Sequence, residues 1–198
     1  KLFYECIQQN GRIFVSGSGH SSIVAQEAFY RAGGLVSIKP IWLKSLLITE
    51  NAEMSTHLER ISGIAEATLN EHQPNNKDCL VVVSNSGRNA YGIELAITAK
   101  SMGCNTVALT SIQHSSNVES RHSSGKRLFE LCDIIIDSHV PLGDATMKHP
   151  NFKENFGPVS TISTVATSFT FATAGTHGQP EMWTHNQWQD VNTSASGW

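Results

Sequence analysis

Apolar residues fall along this chain in two alternating textures. Short, nearly unbroken runs at Arg12–Ser16, Leu35–Ile38, Cys79–Ser84, Thr106–Thr110 and Asp133–Asp137 are separated by stretches whose apolar positions recur every three to four residues. A run without polar interruption suits a strand buried on both faces, and the wider spacing suits a helix that buries one stripe. Ser21–Arg31, with Ile23, Val24, Ala28 and Phe29 as its stripe, predicts the first crossover helix, which Gly33-Gly34 ends. Lys39-Pro40 then closes the second strand. Leu58, Ile61, Ile64, Ala65, Thr68 and Leu69 predict one or two helices between Leu43 and His72, and Ala90–Met102 predicts the most regular helix, stopped by Gly103. Pro141 to Gly157 reads as an ordered or partly ordered loop, followed by Pro158 as a first-turn helical residue. Strands alternating with helices in this way predict an α/β fold with a parallel sheet covered by helices on both faces. Beyond Ala174 the chain turns polar and loses its periodicity, so 175–198 is assigned no element.

Two of the strand runs break off into the same kind of polar turn: Ser16-Gly17-Ser18-Gly19-His20-Ser21-Ser22 and Ser84-Asn85-Ser86-Gly87-Arg88-Asn89. In open parallel sheets ligands bind outside the carboxyl ends of the strands, where the following helices present unpaired amides and a partial positive charge. Ser84 and Ser86 offer hydroxyl donors, Gly87 lets the backbone approach closely, and Arg88 adds charge, a set suited to phosphate. The competing role for such serines is to cap the following helix. Two hydroxyl-rich turns at two strand ends, however, could grip opposite ends of one polar ligand.

Other motifs fall away on inspection. Gly17-Ser18-Gly19 begins a dinucleotide-binding GxGxxG, but Ser22 stands where its last glycine belongs and the second strand ends without the acidic residue that would hold a ribose. Ser123-Ser124-Gly125-Lys126 lacks the first glycine of a phosphate loop, since Ser120 occupies that place. No GxSxG nucleophile elbow occurs, and the nine histidines form neither HxxxH nor HExxH. No metal and no cofactor is therefore expected.

With 198 residues the chain has the length of one domain with a substantial core, expected over 1–174 with 175–198 as a polar tail. The balance of 14 Lys+Arg against 17 Asp+Glu, a net charge of −3 without basic blocks, leaves no footprint for a nucleic acid. Cys6, Cys79, Cys104 and Cys132 form no CxxC pair, and three of them adjoin apolar runs, which suits reduced, buried thiols. No apolar run reaches the roughly 18 residues of a membrane span. The chain is read as soluble and cytoplasmic. It starts at Lys1 and is at its first strand within about ten residues, so a preceding segment is expected.

On "IFVSGSGHS" at Ile13–Ser21, "VVVSNSGRN" at Val81–Asn89, "GDA" at Gly143–Ala145, Gln26–Gly34 and "GPVST" at Gly157–Thr161, the chain resembles the SIS (sugar isomerase) domain family, and within it a group of small bacterial phosphosugar-binding proteins. The similarity runs from about Gly11 to Thr164. The resemblance implies a flavodoxin-like three-layer α/β/α sandwich on a five-stranded parallel sheet, a small-molecule phosphosugar as ligand, and a homodimer or larger homo-oligomer. It implies further that Ser84, Asn85, Ser86 and Asn89 hold the phosphate and that Ser16, Gly17, Ser18 and His20 face the sugar. Gly19, Gly87 and Arg88 belong to the same turns, and Asp144 and Thr161 lie in the two later motifs.

Isomerising a sugar requires a base to carry a proton between adjacent carbons. Glu59 is the first candidate, with His20 as acid or ring-opening partner; the other role open to Glu59, beside Arg60, is that of a solvated helix charge. Isomerisation of a sugar or amino-sugar phosphate, lyase or etherase action on a phosphorylated amino sugar, and sensing without turnover all remain compatible with these residues.

Overall fold

A computed structural model of the chain describes residues 1–166. The expectation for the tail, 175–198, falls outside them. In chain order the elements are α1 (Leu2–Gln8), β1 (Ile13–Gly17), α2 (Ser22–Ala28), β2 (Ile38–Ile41), α3 (Ala52–Leu58), α4 (Ile64–His72), β3 (Cys79–Val83), α5 (Ala90–Ser101), β4 (Asn105–Thr110), α6 (Ile112–Ser116) and β5 (Ile134–Asp137), with short 3-10 turns at Lys44–Leu46 and Leu128–Glu130. Helix resumes at Ser160 and runs through 166. The strands make one parallel sheet in the order β2-β1-β3-β4-β5.

Alternation along the strands divides the interior into two cores, because successive side chains point to opposite faces. Phe14, Leu80, Val82 and Ala108 pack with Ala65 and Leu69 of α4 and with Tyr91, Leu95, Ala96 and Ala99 of α5. Ile13, Val15, Cys79, Val81, Val83, Val107 and Leu109 pack on the other face with Cys6 of α1 and with Val24 and Ala25 of α2. The result is the three-layer α/β/α sandwich that the strand and helix periods predict. Among the described residues no helix is long and apolar enough to cross a membrane.

Four strands lie within a residue or so of their expected places, and β2 does not. Leu35 is buried, but it packs from the connection before the strand, and pairing with β1 runs from Ile38 to Ile41. Lys39-Pro40 therefore sits inside β2 instead of closing it. Proline is tolerated there because β2 is an edge strand, so one side of its backbone needs no ladder partner. α2 also stops short, at Ala28. Phe29 is extended (φ −90°, ψ 140°) and its ring meets Trp42 edge-on at 5.8 Å, so this member of the expected stripe leaves the helix before Gly33-Gly34.

Two carboxylates fasten the amino-terminal edge of the sheet. Buried Asp78 accepts hydrogen bonds from the Arg12 backbone N–H (2.7 Å), Arg12 Nε (3.3 Å) and Nη2 (2.7 Å), and from the Asn75 backbone N–H (3.0 Å) and Nδ2 (2.9 Å), tying β1 to β3. Asp133 accepts from the Thr106 backbone N–H (2.9 Å), Thr106 Oγ1 (2.8 Å) and Lys100 Nζ (2.7 Å), tying β4 to β5. Burial works to raise both acids, but the hydrogen bonds and cations outweigh it and hold both carboxyls below their usual range.

Candidate functional site

β1 and β3 are neighbours, and the chain leaves them in opposite directions, β1 toward β2 and β3 toward β4. The crevice beyond their carboxyl ends is therefore the topological switch point, where α/β folds bind ligands. Both polar turns border it.

The turn after β3 is rigid. The Gly87 N–H donates to Ser84 Oγ at 3.1 Å, the Asn85 carbonyl accepts from the Ser111 N–H (3.1 Å) and Thr110 Oγ1 (3.2 Å), and the Leu128 N–H donates to the Gly87 carbonyl at 2.8 Å. Gly87 has φ +57°, which strains any residue with a side chain, and a Cβ there would stand 3.0 Å from Ser115 Oγ and 3.1 Å from Leu128 Cβ, so those side chains would have to give way. Ser84 uses its oxygen as acceptor within the turn and so keeps its proton to donate. Ser86 is half-buried with its hydroxyl unpaired among the described residues.

Glu59 joins this turn to the one after β1. Ser18 Oγ donates to Glu59 Oε2 at 2.6 Å, and Asn89 Nδ2 donates to Oε1 at 2.7 Å. Arg121 Nη1 in turn donates to Asn89 Oδ1 at 3.0 Å, and the Tyr91 N–H donates to the Glu59 carbonyl at 3.0 Å. Glu59 is the residue that caps the carboxyl end of α3, half-buried. It is thus no solvated helix charge: its two oxygens bridge residues 41 and 30 positions away. Asn89, at the start of α5, spends its amide on this bridge and does not cap the helix.

The other expected residues divide into two groups. Exposed His20 lines a cleft with Ser21, Val24, Asn85, Ser160, Thr161 and Thr164, with about 230 Å³ of empty space continuous with solvent. Asn85 Oδ1 is buried and has no partner among the described residues. Val24 belongs to the α2 face of the sheet and Tyr91 to the α5 face, so the His20 cleft and the Glu59 bridge flank the strand ends from opposite sides. Gly17 allows the tight turn between them, since a Cβ there would come within 2.9 Å of Ser21, and Gly19 (φ +56°) accepts at its carbonyl from Ser22 Oγ at 2.7 Å.

Ser16 and Asp144 stand back from the crevice. Ser16 is fully buried; its hydroxyl donates to the Ile41 carbonyl at 3.1 Å and lies 3.0 Å from the Tyr91 phenol, riveting β1 to β2 and α5. Asp144 Oδ1 accepts from the Val159 N–H (3.0 Å) and the Ser160 N–H (2.8 Å), capping the helix that carries Thr161 to the cleft. Arg121 and Tyr91 were not singled out from the sequence, for neither sits in a recognisable motif. Partial desolvation and then the charges of Arg88 and Arg60 depress the Arg121 pKa, with Glu59 pulling the other way. Among the described residues no three His, Cys, Asp or Glu side chains group as a metal site.

A model of the SIS domain matches residues 1–111. A UPF0309 protein of Geobacillus kaustophilus is 43% identical over 158 residues, covering 80% of this chain and 63% of that protein, so the chain spans less than two thirds of this relative's length. Among solved structures, a phosphoheptose isomerase from Neisseria gonorrhoeae superposes with a TM-score of 0.55 at 18% identity, over 88% of this chain and 80% of that one. The Vibrio vulnificus NanR protein complexed with ManNAc-6P gives 0.50 at 19% identity, over 96% of this chain and 56% of that one. At these identities the likeness of the two solved structures is one of fold.

Proposed function

The chain belongs to the SIS domain family, and from that premise we propose that the crevice between the ends of β1 and β3 binds a phosphorylated sugar and serves its isomerisation. The observation that carries this reading is the Glu59 bridge, which holds a carboxylate between the two hydroxyl-rich turns at the switch point. The phosphate is taken by the Ser84 and Ser86 hydroxyls and by the amides that open α5, next to Arg88. The sugar extends toward Ser18 and His20.

In this reading Glu59 removes the proton from the carbon beside the carbonyl of the open-chain sugar and returns it to the former carbonyl carbon, while His20 moves the hydroxyl proton between the two oxygens. Each oxygen of Glu59 accepts one hydrogen bond and keeps a free lone pair, so the base can act without first losing Ser18 or Asn89.

The test is calorimetric titration with a panel of hexose, heptose and amino-sugar phosphates, each then followed by NMR for conversion. Replacing both Ser84 and Ser86 by Ala should cost about 3–6 kcal/mol at roughly 1.5–3 for each bond to a charged group, a loss of about two orders of magnitude or more in affinity. Unchanged affinity would move the phosphate elsewhere. Glu59→Gln should retain binding and abolish conversion. Tight binding with no conversion by the wild-type chain would favour sensing instead, a reading supported by the bridge itself, since a carboxylate gripped from both sides can serve as a clamp. The NanR protein, similar in fold, was solved with ManNAc-6P.

A further inference from the structure

Arg88 and Arg121 meet beside the Glu59 bridge, and Arg60 lies near enough for its charge to act on Arg121. Arg60 follows Glu59 directly. The Arg121 N–H donates to the Arg88 carbonyl at 2.8 Å, which lays the 118–128 segment along the start of α5, and Arg121 Nη1 reaches Asn89 at 3.0 Å. A second anchor of the same segment is His122, whose Nε2 is 3.5 Å from Glu94 of α5. None of Arg60, Arg88 and Arg121 makes an ion pair with a carboxylate among the described residues. Among the described residues the buried Arg88 Nε has no hydrogen-bond partner.

We propose that Arg60, Arg88 and Arg121 form a second anion subsite, and hence that the sugar phosphate taken here carries a further negative group, a carboxylate or a second phosphate; this rests on the phosphosugar reading above. Like charges drawn together and partly stripped of water disfavour one another, and an anion bound among them removes that penalty. At Arg121 partial desolvation acts first, and the charges of Arg88 and Arg60 add to it against Glu59 alone. Guanidinium groups suit the task, because their planar forks match the paired oxygens of carboxylate and phosphate. Glu94 does not neutralise the cluster, since its Oε2 accepts from the Gly63 N–H at 2.7 Å and its Oε1 faces His122. Arg88, read from the sequence as part of the phosphate cradle, is assigned here to the second group, leaving the first phosphate to the hydroxyls and amides of the turn.

The experiment is titration calorimetry at about 0.15 M salt with glucose 6-phosphate, 6-phosphogluconate, fructose 1,6-bisphosphate and inorganic phosphate. The expected result is that at least one of the two doubly anionic sugars binds about tenfold or more tighter than glucose 6-phosphate, the gain from one further charge-assisted contact. Arg60→Gln, at an exposed position, should cut that ratio below about threefold while leaving glucose 6-phosphate affinity as it was. Arg121→Gln, which keeps an amide donor for Asn89, should also shrink the ratio. Lys77→Gln removes the same charge at the opposite end of the sheet and should leave the ratio intact. A ratio near one, a ratio that survives Arg60→Gln, or a ratio lost equally in Lys77→Gln overturns the second subsite while the phosphosugar reading stands. Failure of every sugar phosphate to bind the wild-type chain overturns both.

Discussion

Replacing Asp78 by Asn tests whether the amino-terminal edge of the sheet is held by charge or merely by shape. The side chain is 2% exposed and its two oxygens receive five donors, two on Oδ1 and three on Oδ2. An asparagine must place its NH2 on one side or the other, so at least two donors then face a donor. At about 1.5 kcal/mol for each bond to a charged group, the loss is about 3 kcal/mol. The Arg12 side chain is 38% exposed and recovers some hydration, which places the figure at the low end of the 3–5 kcal/mol typical of breaking a buried pair. With a urea slope of about 2 kcal/mol per molar, the unfolding midpoint should fall by about 1.5 M. Circular dichroism across a urea series gives the number directly, and a double-mutant cycle with Arg12→Gln should show that the two losses are not additive. A midpoint shift below about 0.5 M would mean that water replaces the carboxylate at little cost, and that backbone pairing of β1 with β3 suffices.

The depressed acids set a pH window for the same measurement. Asp78 and Asp133 bind protons more weakly folded than unfolded, so their contribution is present above the unfolded carboxylate pKa of about 4 and is lost as pH falls through the lower folded values; urea midpoints taken downward from pH 6 should drop in that range, and less steeply in Asp78→Asn. Gly87→Ala should destabilise the fold by about 1–3 kcal/mol through its φ of +57° and the contacts at 3.0 and 3.1 Å, and should weaken phosphosugar binding in calorimetry by disturbing the Ser84–Asn89 turn; full stability with full affinity would refute the required geometry. Burial pushes the thiol of Cys6 up to about 11 and those of Cys104 and Cys132 up to about 12, and raises Cys79 further still. A disulfide reagent at neutral pH should therefore release colour slowly from the native chain and fully only in denaturant, and a rapid native reaction would contradict this.

The strands β1, β3 and β4 could be read from the chain because strands buried on both faces must be apolar almost throughout, and few other elements leave that texture; β5, at the sheet edge, shows the same apolar run although Ile134 and Ile135 are exposed. β2 misled because two signals pointed the wrong way. Leu35 is apolar for the sake of a core it enters from a connection, and Pro40 looks like a terminator only where both sides of a backbone need partners. The turns of the candidate site were visible as clusters of serine and glycine, but composition does not separate a hydroxyl that faces the crevice from one that faces the core. Ser16 and Ser18 are two residues apart in one such cluster. Ser16 is still within β1, paired against Ile41 and Val82, whereas Ser18 lies beyond the strand end and reaches Glu59. The Glu59, Asn89 and Arg121 chain was invisible for a different reason: its links join residues 30 and 32 positions apart, and no local period marks them.

The proline in β2 bears on how copies of this chain can and cannot meet. A sheet margin that presents a full row of donors and acceptors invites another β-segment to dock and continue the ladder, which is the route to uncontrolled fibre growth. At Pro40 that row has a missing donor, and only four residues, Ile38–Ile41, offer any row at all. Recruitment of foreign β-structure on this side is thus discouraged by the covalent chemistry of one ring, and the protection would survive partial loosening of the helices that cover the sheet.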